Sequence, residues 1–337
     1  PLSSAALGIV VAGGVIIAVV LWKRLKNRWH APFMRSHYIF WILVILVAFA
    51  VIEHSTHQPS NPDTGIYHAQ TIRWMEEYPL VPGLGNLNSR FAYNSSWLVV
   101  NALFSFSFLG IQSFHLLPSA FFILTMLICV EGACGWLRGK TTPANILKTL
   151  LIPCAFYVLA SEISSPGTDL PVVFIVWWLA AGWLERGEDS AGNRPLLEVV
   201  IFLLSIYAFT IKLSAGPLVF FAILLMGIWR TQNRKLALMA AMAAIILLPW
   251  MARSVILSGY PLFPIAGVPG FNLDWRIAQS DVVNEQMGII AYGRNPRMSM
   301  DEVLQMPFSA WLKMWYYNQT INRKILLIFA GVAPLLF

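Results

Sequence analysis

The sequence predicts an all-α, polytopic transmembrane bundle of about nine spans, with helices lying on its outer face and a large second outer loop. Three observations predict it. Ala, Val, Ile, Leu, Met, Phe, Trp, Tyr and Cys make up 58% of the 337 residues, and Asp, Glu, Lys and Arg only 12%, about half the charged share of a typical soluble domain. The mean hydropathy is +0.65, too little polar side chain to cover a water-facing surface. Apolar runs near the length of a membrane-spanning helix recur along the chain. The same figures exclude a disordered chain, a coiled coil, a collagen and a secreted disulfide scaffold.

The predicted spans, in order, are Ala6–Trp22, Tyr38–Glu53, Phe114–Leu137, Ile146–Ser161, Leu170–Leu184, Leu196–Ile211, Ala215–Trp229, Leu236–Ala252 and Lys324 onward. The first is not a signal peptide, because Lys23, Arg24, Lys26 and Arg28 follow its apolar stretch instead of preceding it. Residues 1–37 then form an extra span with a basic inner loop, and residues 38–337 the main transmembrane domain. Pro1 and the apolar run ending at Phe337 predict a chain truncated at both ends.

The stretch Ser95–Gly110 decides the topology. As a span, it would put the basic loops 138–148, 186–194 and 230–235 outside, against the positive-inside rule. As a helix in the outer interface, it lets each downstream loop alternate correctly. The inside then holds thirteen Lys and Arg, including Arg35, Lys148, Arg186 and Arg194; the short outer segments hold three, Arg73, Arg90 and Lys212. Asn94, Ser95, Ser96, Asn101 and Ser105 also suit a half-wet helix. Two outer loops result, at about 54–113 and 253–323. In the second, Ser299-Met300-Asp301-Glu302 reads as a capping box opening an amphipathic helix through Val303, Leu304, Trp311, Leu312 and Trp315. Its Trp and Tyr content predicts that it lies on the membrane surface.

Other classes are set aside by spacing. The net charge is +7, but the basic residues scatter along span ends instead of forming one face, which excludes nucleic acid as a partner. Cys129, Cys134 and Cys154 lie in apolar runs without a C-x-x-C, so neither a disulfide framework nor a zinc site is implied. His54 and His57 form an H-x-x-H without a third fixed ligand, too weak for a metal site. No metal or other cofactor is expected.

Chemistry is expected on the outer face. The densest polar cluster is Asn61-Pro62-Asp63-Thr64-Gly65-Ile66-Tyr67-His68-Ala69-Gln70. Asp63 or Thr64 can cap a helix there. A carboxylate beside free N–H groups, with His68 and Arg73 near, also suits a general base reaching a hydroxyl. Lys212, in Thr210-Ile211-Lys212-Leu213-Ser214-Ala215-Gly216-Pro217, is the basic residue of a tight outer turn. It can hold a lipid phosphate or simply snorkel. Arg253, after Pro249-Trp250, can take a phosphate in bidentate fashion or anchor the interface. Glu162 and Asp169 bracket Ser164-Ser165-Pro166-Gly167, and Asn86, Asn88, Arg90 and Asn94 lie between the two surface helices, where they suit sugar hydroxyls or ordinary loop polarity. Glu131 sits in a span toward its inner end, where water or Arg138 would meet it.

Taken together, these stretches resemble the GT-C superfamily of membrane glycosyltransferases, such as the aminoarabinose transferases and protein mannosyltransferases. The likeness rests on an acid in the first large outer loop, an Asp-x-Gly-x-Tyr-like helix start, a Thr-x-Lys-x-x-x-x-Pro turn and a later Pro-Trp, in that order, over roughly residues 38–337. The Pro82–Leu87 loop is similar to those of a bacterial branch. The resemblance implies a polyprenyl-phosphate sugar as donor, a glycan, lipid or protein as acceptor, Asp63 as catalytic base and Lys212 at the donor phosphate. Tyr67, His68, Arg73, Arg90, Asp169 and Arg253 complete the implied substrate site. It also implies a bacterial inner-membrane location with the active site on the outer face. One departure stands: the acidic pair usual in the first loop is here Asp63-Thr64, leaving one carboxylate. A transporter or flippase of lipid-linked sugars, and a non-catalytic assembly subunit, remain the alternatives.

Overall fold

Every run that the sequence marks as a span between Ala6 and Ala252 is helical. The computed structural model describes residues 4–33, 38–59, 61–111, 115–188, 195–321, 323–324 and 327–328, with the backbone alone at 21–33, 38–44 and 157–162. The helices are α1 (Ser4–Phe33), α2 (Tyr38–Ser55), α3 (Ala69–Glu77), α4 (Ser96–Leu103), α5 (Leu117–Leu137), α6 (Pro143–Glu162), α7 (Asp169–Glu188), α8 (Pro195–Ile211), α9 (Val219–Ile228), α10 (Asn233–Ser258), α11 (Gln279–Arg294), α12 (Met300–Gln305) and α13 (Phe308–Asn318). No strand occurs among the described residues.

Three of these helices, α5, α7 and α10, are long and apolar enough to cross a membrane; six further apolar helical segments are shorter. About nine spans is therefore an expectation that these lengths do not establish. The span expected from Lys324 onward lies almost wholly outside the described residues, as do Arg35, Arg194 and the side chain of Glu162. On α10, Ile245 is 72% and Leu248 63% exposed. Large apolar side chains so bare on a long helix are stable only with lipid or another apolar surface around them.

Helix ends follow the local chemistry. Pro118 sits in the first turn of α5, which therefore starts at Leu117 rather than Phe114. Thr142 caps α6, accepting from Asn145 N at 3.3 Å ahead of Pro143. Lys23–Arg28 continue α1 instead of forming a loop, because Lys, Arg and Leu are good helix formers. Pro217 lies in a 3-10 turn, Leu213–Leu218, that delays the regular start of α9 to Val219.

The chain divides into two compact units, one of residues 1–81 and 94–253, the other of 82–93 and 254–337. In the first, α4, α7, α8, α9 and α10 share a core around Trp97, Ile175, Leu179, Phe202, Ile206 and Leu225. Val51, Phe122, Ala155 and Phe174 form a second cluster. Eight residues of α4 rise about 12 Å, far short of a bilayer core, so α4 is no span. It is not half-wet either. Ser95, Asn101 and Ser105 are buried, and Asn101 Nδ2 bonds Trp97 O at 2.9 Å while Ser105 Oγ bonds Ala102 O at 2.9 Å.

The same unit buries charge. Lys148, its side chain 4% exposed, lies 3.1 Å from Glu131 Oε2 and bonds Glu185 Oε1. It belongs to the interior of α6 and not to an inner loop, because two carboxylates from α5 and α7 compensate it. Gly132 makes room for it: a Cβ at that position would collide with the Lys148 side chain. Arg186 Nε lies 2.9 Å from Glu198 Oε1, and Trp229 Nε1 donates to Glu198 Oε2 at 3.0 Å.

In the second unit, Ala92, Tyr260, Phe263, Ile277 and Val282 form the core. Gly83 N bonds Ile256 O at 2.8 Å, and Glu285 accepts from Ser89 Oγ at 2.7 Å and from Tyr93 Oη. The capping box is present: Ser299 Oγ accepts from Glu302 N at 3.4 Å and Glu302 Oε2 from Ser299 N at 3.2 Å. The single helix expected after it is two, α12 and α13. Pro307 has no N–H to donate and forces Met306 into extended backbone, ψ 135°. On α13, Phe308 and Tyr317 are each 66% exposed.

Candidate functional site

Asn61, not Asp63, caps the helical residues 62–77. Asn61 Oδ1 accepts from Asp63 N at 3.0 Å, and Pro62 takes the first helical position, where a missing N–H costs nothing. Asp63 has helical backbone, φ −62° and ψ −22°, and makes no capping bond. Its half-buried carboxylate is therefore not consumed by capping. Residues Thr64–His68 form one π-helical turn before α3, a local widening that recurs at functional sites. The Tyr67 ring tilts against His68, centroids 4.2 Å apart, and His68 is 2% exposed.

This turn packs on the segment between α6 and α7. Thr64 Oγ1 and Ser165 Oγ are 2.7 Å apart. A Cβ on Gly167 would stand 3.1 Å from Ser165 Oγ, a tight contact, and in ordinary contact with Asn61 Nδ2 and His68 Cε1 at 3.5 and 3.6 Å. Two residues further on, Asp169 opens α7 and its Oδ1 pairs with Lys212 Nζ. Segment 163–169 thus touches the turn that carries Asp63 and holds the side chain of Lys212.

A second short segment, 94–97, ties in the rest. Asn94 Oδ1 accepts from Arg253 Nη1, its Nδ2 donates to Trp250 O, and Trp250 Nε1 returns a bond to Asn94 O. Ser96 Oγ lies 2.8 Å from Thr210 Oγ1, and Trp97 Nε1 donates to Pro166 O at 3.1 Å. Asn94 is 7% exposed. An apolar groove of about 450 Å³, lined by Phe209, Gly216, Pro217, Phe220, Ile223 and Leu247 among others, runs along the 3-10 turn that Lys212 opens.

A family model described as Domain of unknown function (DUF8201) matches residues 1–337. The chain belongs to that family. No curated protein and no solved structure matches it.

Two other expected site residues have contacts of their own. Arg73 is exposed and pairs with Glu77 one helical turn away, Nε to Oε1 2.7 Å; that carboxylate raises its pKa further above the ordinary arginine value. Arg90 belongs to the second unit, on a 3-10 turn whose cap, Asn88 Oδ1, accepts its N–H at 3.0 Å. Asn86 in that unit is spent on Trp275 O at 2.6 Å. His57 bonds Glu53 at 3.0 Å, and no three His, Cys, Asp or Glu among the described residues gather to hold a metal ion. Sequence reasoning did not pair Thr64 with Ser165, Ser96 with Thr210 or Asn94 with Arg253. Short neutral side chains carry no periodic or charge signal; the Pro166-Gly167 turn alone marks the place.

Proposed function

We propose that the chain is a GT-C-type glycosyltransferase of the bacterial inner membrane, with the Asp63–Lys212–Arg253 end of its first unit facing outward. An acceptor hydroxyl attacks the anomeric carbon of a polyprenyl-phosphate sugar, and Asp63 takes the hydroxyl proton. The bond from the anomeric carbon to the phosphate oxygen breaks, its electron pair leaves with polyprenyl phosphate, and the anomeric carbon inverts. Lys212 and Arg253 hold the charge that develops on the leaving phosphate, which removes the need for a strong general acid. The polyprenyl chain lies along the apolar groove beside Lys212.

One observation carries this reading. Segments 94–97 and 163–169 gather the turn of Asp63, the turn of Lys212 and the Arg253 end of α10 at one end of the unit. The test is transfer in proteoliposomes from a panel of labelled polyprenyl-phosphate hexoses and pentoses, read as released polyprenyl phosphate. Asp63→Asn is expected to lower the rate about 10²–10⁴-fold with unchanged expression and melting. Wild-type rate in that variant refutes the assignment. A transporter is favoured instead by the Lys148 cluster buried among α5, α6 and α7. That reading predicts movement of label across the vesicle without release of polyprenyl phosphate.

A further inference from the structure

The Lys212–Asp169 pair has an unusual setting for the residue that would hold a phosphate. Both side chains are open to solvent, 40% and 67% exposed. Each charge has a reason to be where it is without the other. Asp169 occupies the first turn of the 20-residue helix α7, where the helix dipole favours an anion. Lys212 follows the last residue of α8, where carbonyls favour a cation. An exposed pair of this kind is weak, worth a factor of a few in an equilibrium at most. A phosphate monoester, such as the polyprenyl phosphate that leaves, brings more charge and more acceptor oxygens to an ammonium than one carboxylate does. The turn that Lys212 opens also lines the apolar groove through Gly216 and Pro217. A ligand with an anionic head and an apolar tail can therefore take the ammonium and the groove together, which Asp169 cannot.

We propose that Asp169 is a displaceable counter-ion: it occupies the phosphate seat on Lys212 until an alkyl phosphate takes its place. The inference rests on the reading of Lys212 as the phosphate-holding residue, and it gives Asp169 a gating role rather than a contact with the sugar. Asp169 acts through Lys212 and sets the selectivity of the seat. A neutral lipid lacks the charge to displace it, whereas an amphiphilic phosphate does so.

The test uses the full chain in nanodiscs, with farnesyl phosphate as probe and farnesol as its uncharged control. Wild type is expected to bind the phosphate at least ten-fold tighter than the alcohol. Asp169→Asn should tighten phosphate binding about two- to five-fold, with Asp169→Ser giving the same gain. Lys212→Gln should weaken it ten-fold or more. Adding Asp169→Asn to Lys212→Gln should gain nothing, because the carboxylate then has no seat to vacate. Farnesol affinity, which reads the integrity of the groove, should be the same in all variants. No gain in Asp169→Asn and Asp169→Ser overturns the inference. So does an equal gain in the Lys212→Gln background, which would mark a general loss of negative charge. The outcome is separable from that of the catalytic reading. If Asp63→Asn keeps full transfer while the Asp169 effect holds, the base assignment falls and the seat stands. If farnesyl phosphate binds no better than farnesol while Asp63→Asn abolishes transfer, the seat falls and the base stands.

Discussion

Removing Lys148 should destabilise the first unit more than removing any exposed charge, and the structure sets the size. Its ammonium is the bridge between Glu131 Oε2 at 3.1 Å and Glu185, with its side chain 4% and that of Glu185 11% exposed. Lys148→Met keeps the volume and the helix propensity, so the effect reports charge alone. Glu131 and Glu185 then lose the ammonium between them, and breaking a buried pair in this way costs about 3–5 kcal/mol. That is a fall of roughly two to nearly four orders of magnitude in the folding equilibrium constant. The assay is reversible unfolding in mixed micelles with increasing dodecyl sulfate, followed by circular dichroism and Trp fluorescence. The control is the triple replacement Glu131→Leu, Lys148→Met, Glu185→Leu. Replacing a complete buried ionic cluster with apolar residues is often neutral or stabilising, so this variant should recover most of the loss. A Lys148→Met cost below about 1 kcal/mol, typical of exposed pairs, would refute the argument that these charges are desolvated. A triple variant no better than the single one would refute the attribution to the carboxylates left behind.

Glu198→Ala strips Trp229 Nε1 of its acceptor and should cost about 1–3 kcal/mol in the same unfolding assay. Glu198→Gln, which can still accept that bond, should cost visibly less. A pH effect is expected from His115, just outside α5, whose Nδ1 is buried with no hydrogen-bond partner among the described residues. Burial lowers its pKa below the usual 6.5, only partly opposed by Glu76. The unfolded chain therefore takes up the proton first as pH falls. The stability from neutral His115 is complete above about pH 6.5 and is lost below it, at no more than about 1.4 kcal/mol per pH unit. His115→Phe should flatten that limb between pH 7 and 5; an unchanged slope would exclude His115 as its source.

The helices were legible because a run of apolar residues at spanning length has few alternatives, and Pro143, Thr142 and Ser299 mark ends by the bonds they make or lack. What single-residue patterns cannot show is which partner a charge meets across helices. Lys148 has the same local sequence signature as a loop lysine, and only the arrival of Glu131 and Glu185 from other helices makes its burial tolerable. The one predicted surface helix became two because Pro307 outweighed the continuous apolar pattern on either side. Asp63 looked like a cap because any acid before a helix does; Asn61, one residue before Pro62, does that work, and a rule that reads Pro as the first helical position would have found it.

The nature of the partners separates structural charge from charge open to a ligand. At one end of the first unit, Lys148 meets two carboxylates, and Arg186 meets a carboxylate that also binds an indole N–H. Those charges are cancelled and enclosed, as helix packing needs. At the other end Arg253 is fixed by Asn94, an amide. A neutral acceptor orients the guanidinium without cancelling its charge, so its field remains available to an anion. Lys212 does have an anion, but an exposed one in a weak pair. A protein that needed these two cations only to hold helices together would gain more by giving both of them buried carboxylates. Holding one with an amide and the other with a weak pair is the arrangement that the proposed phosphate seat calls for.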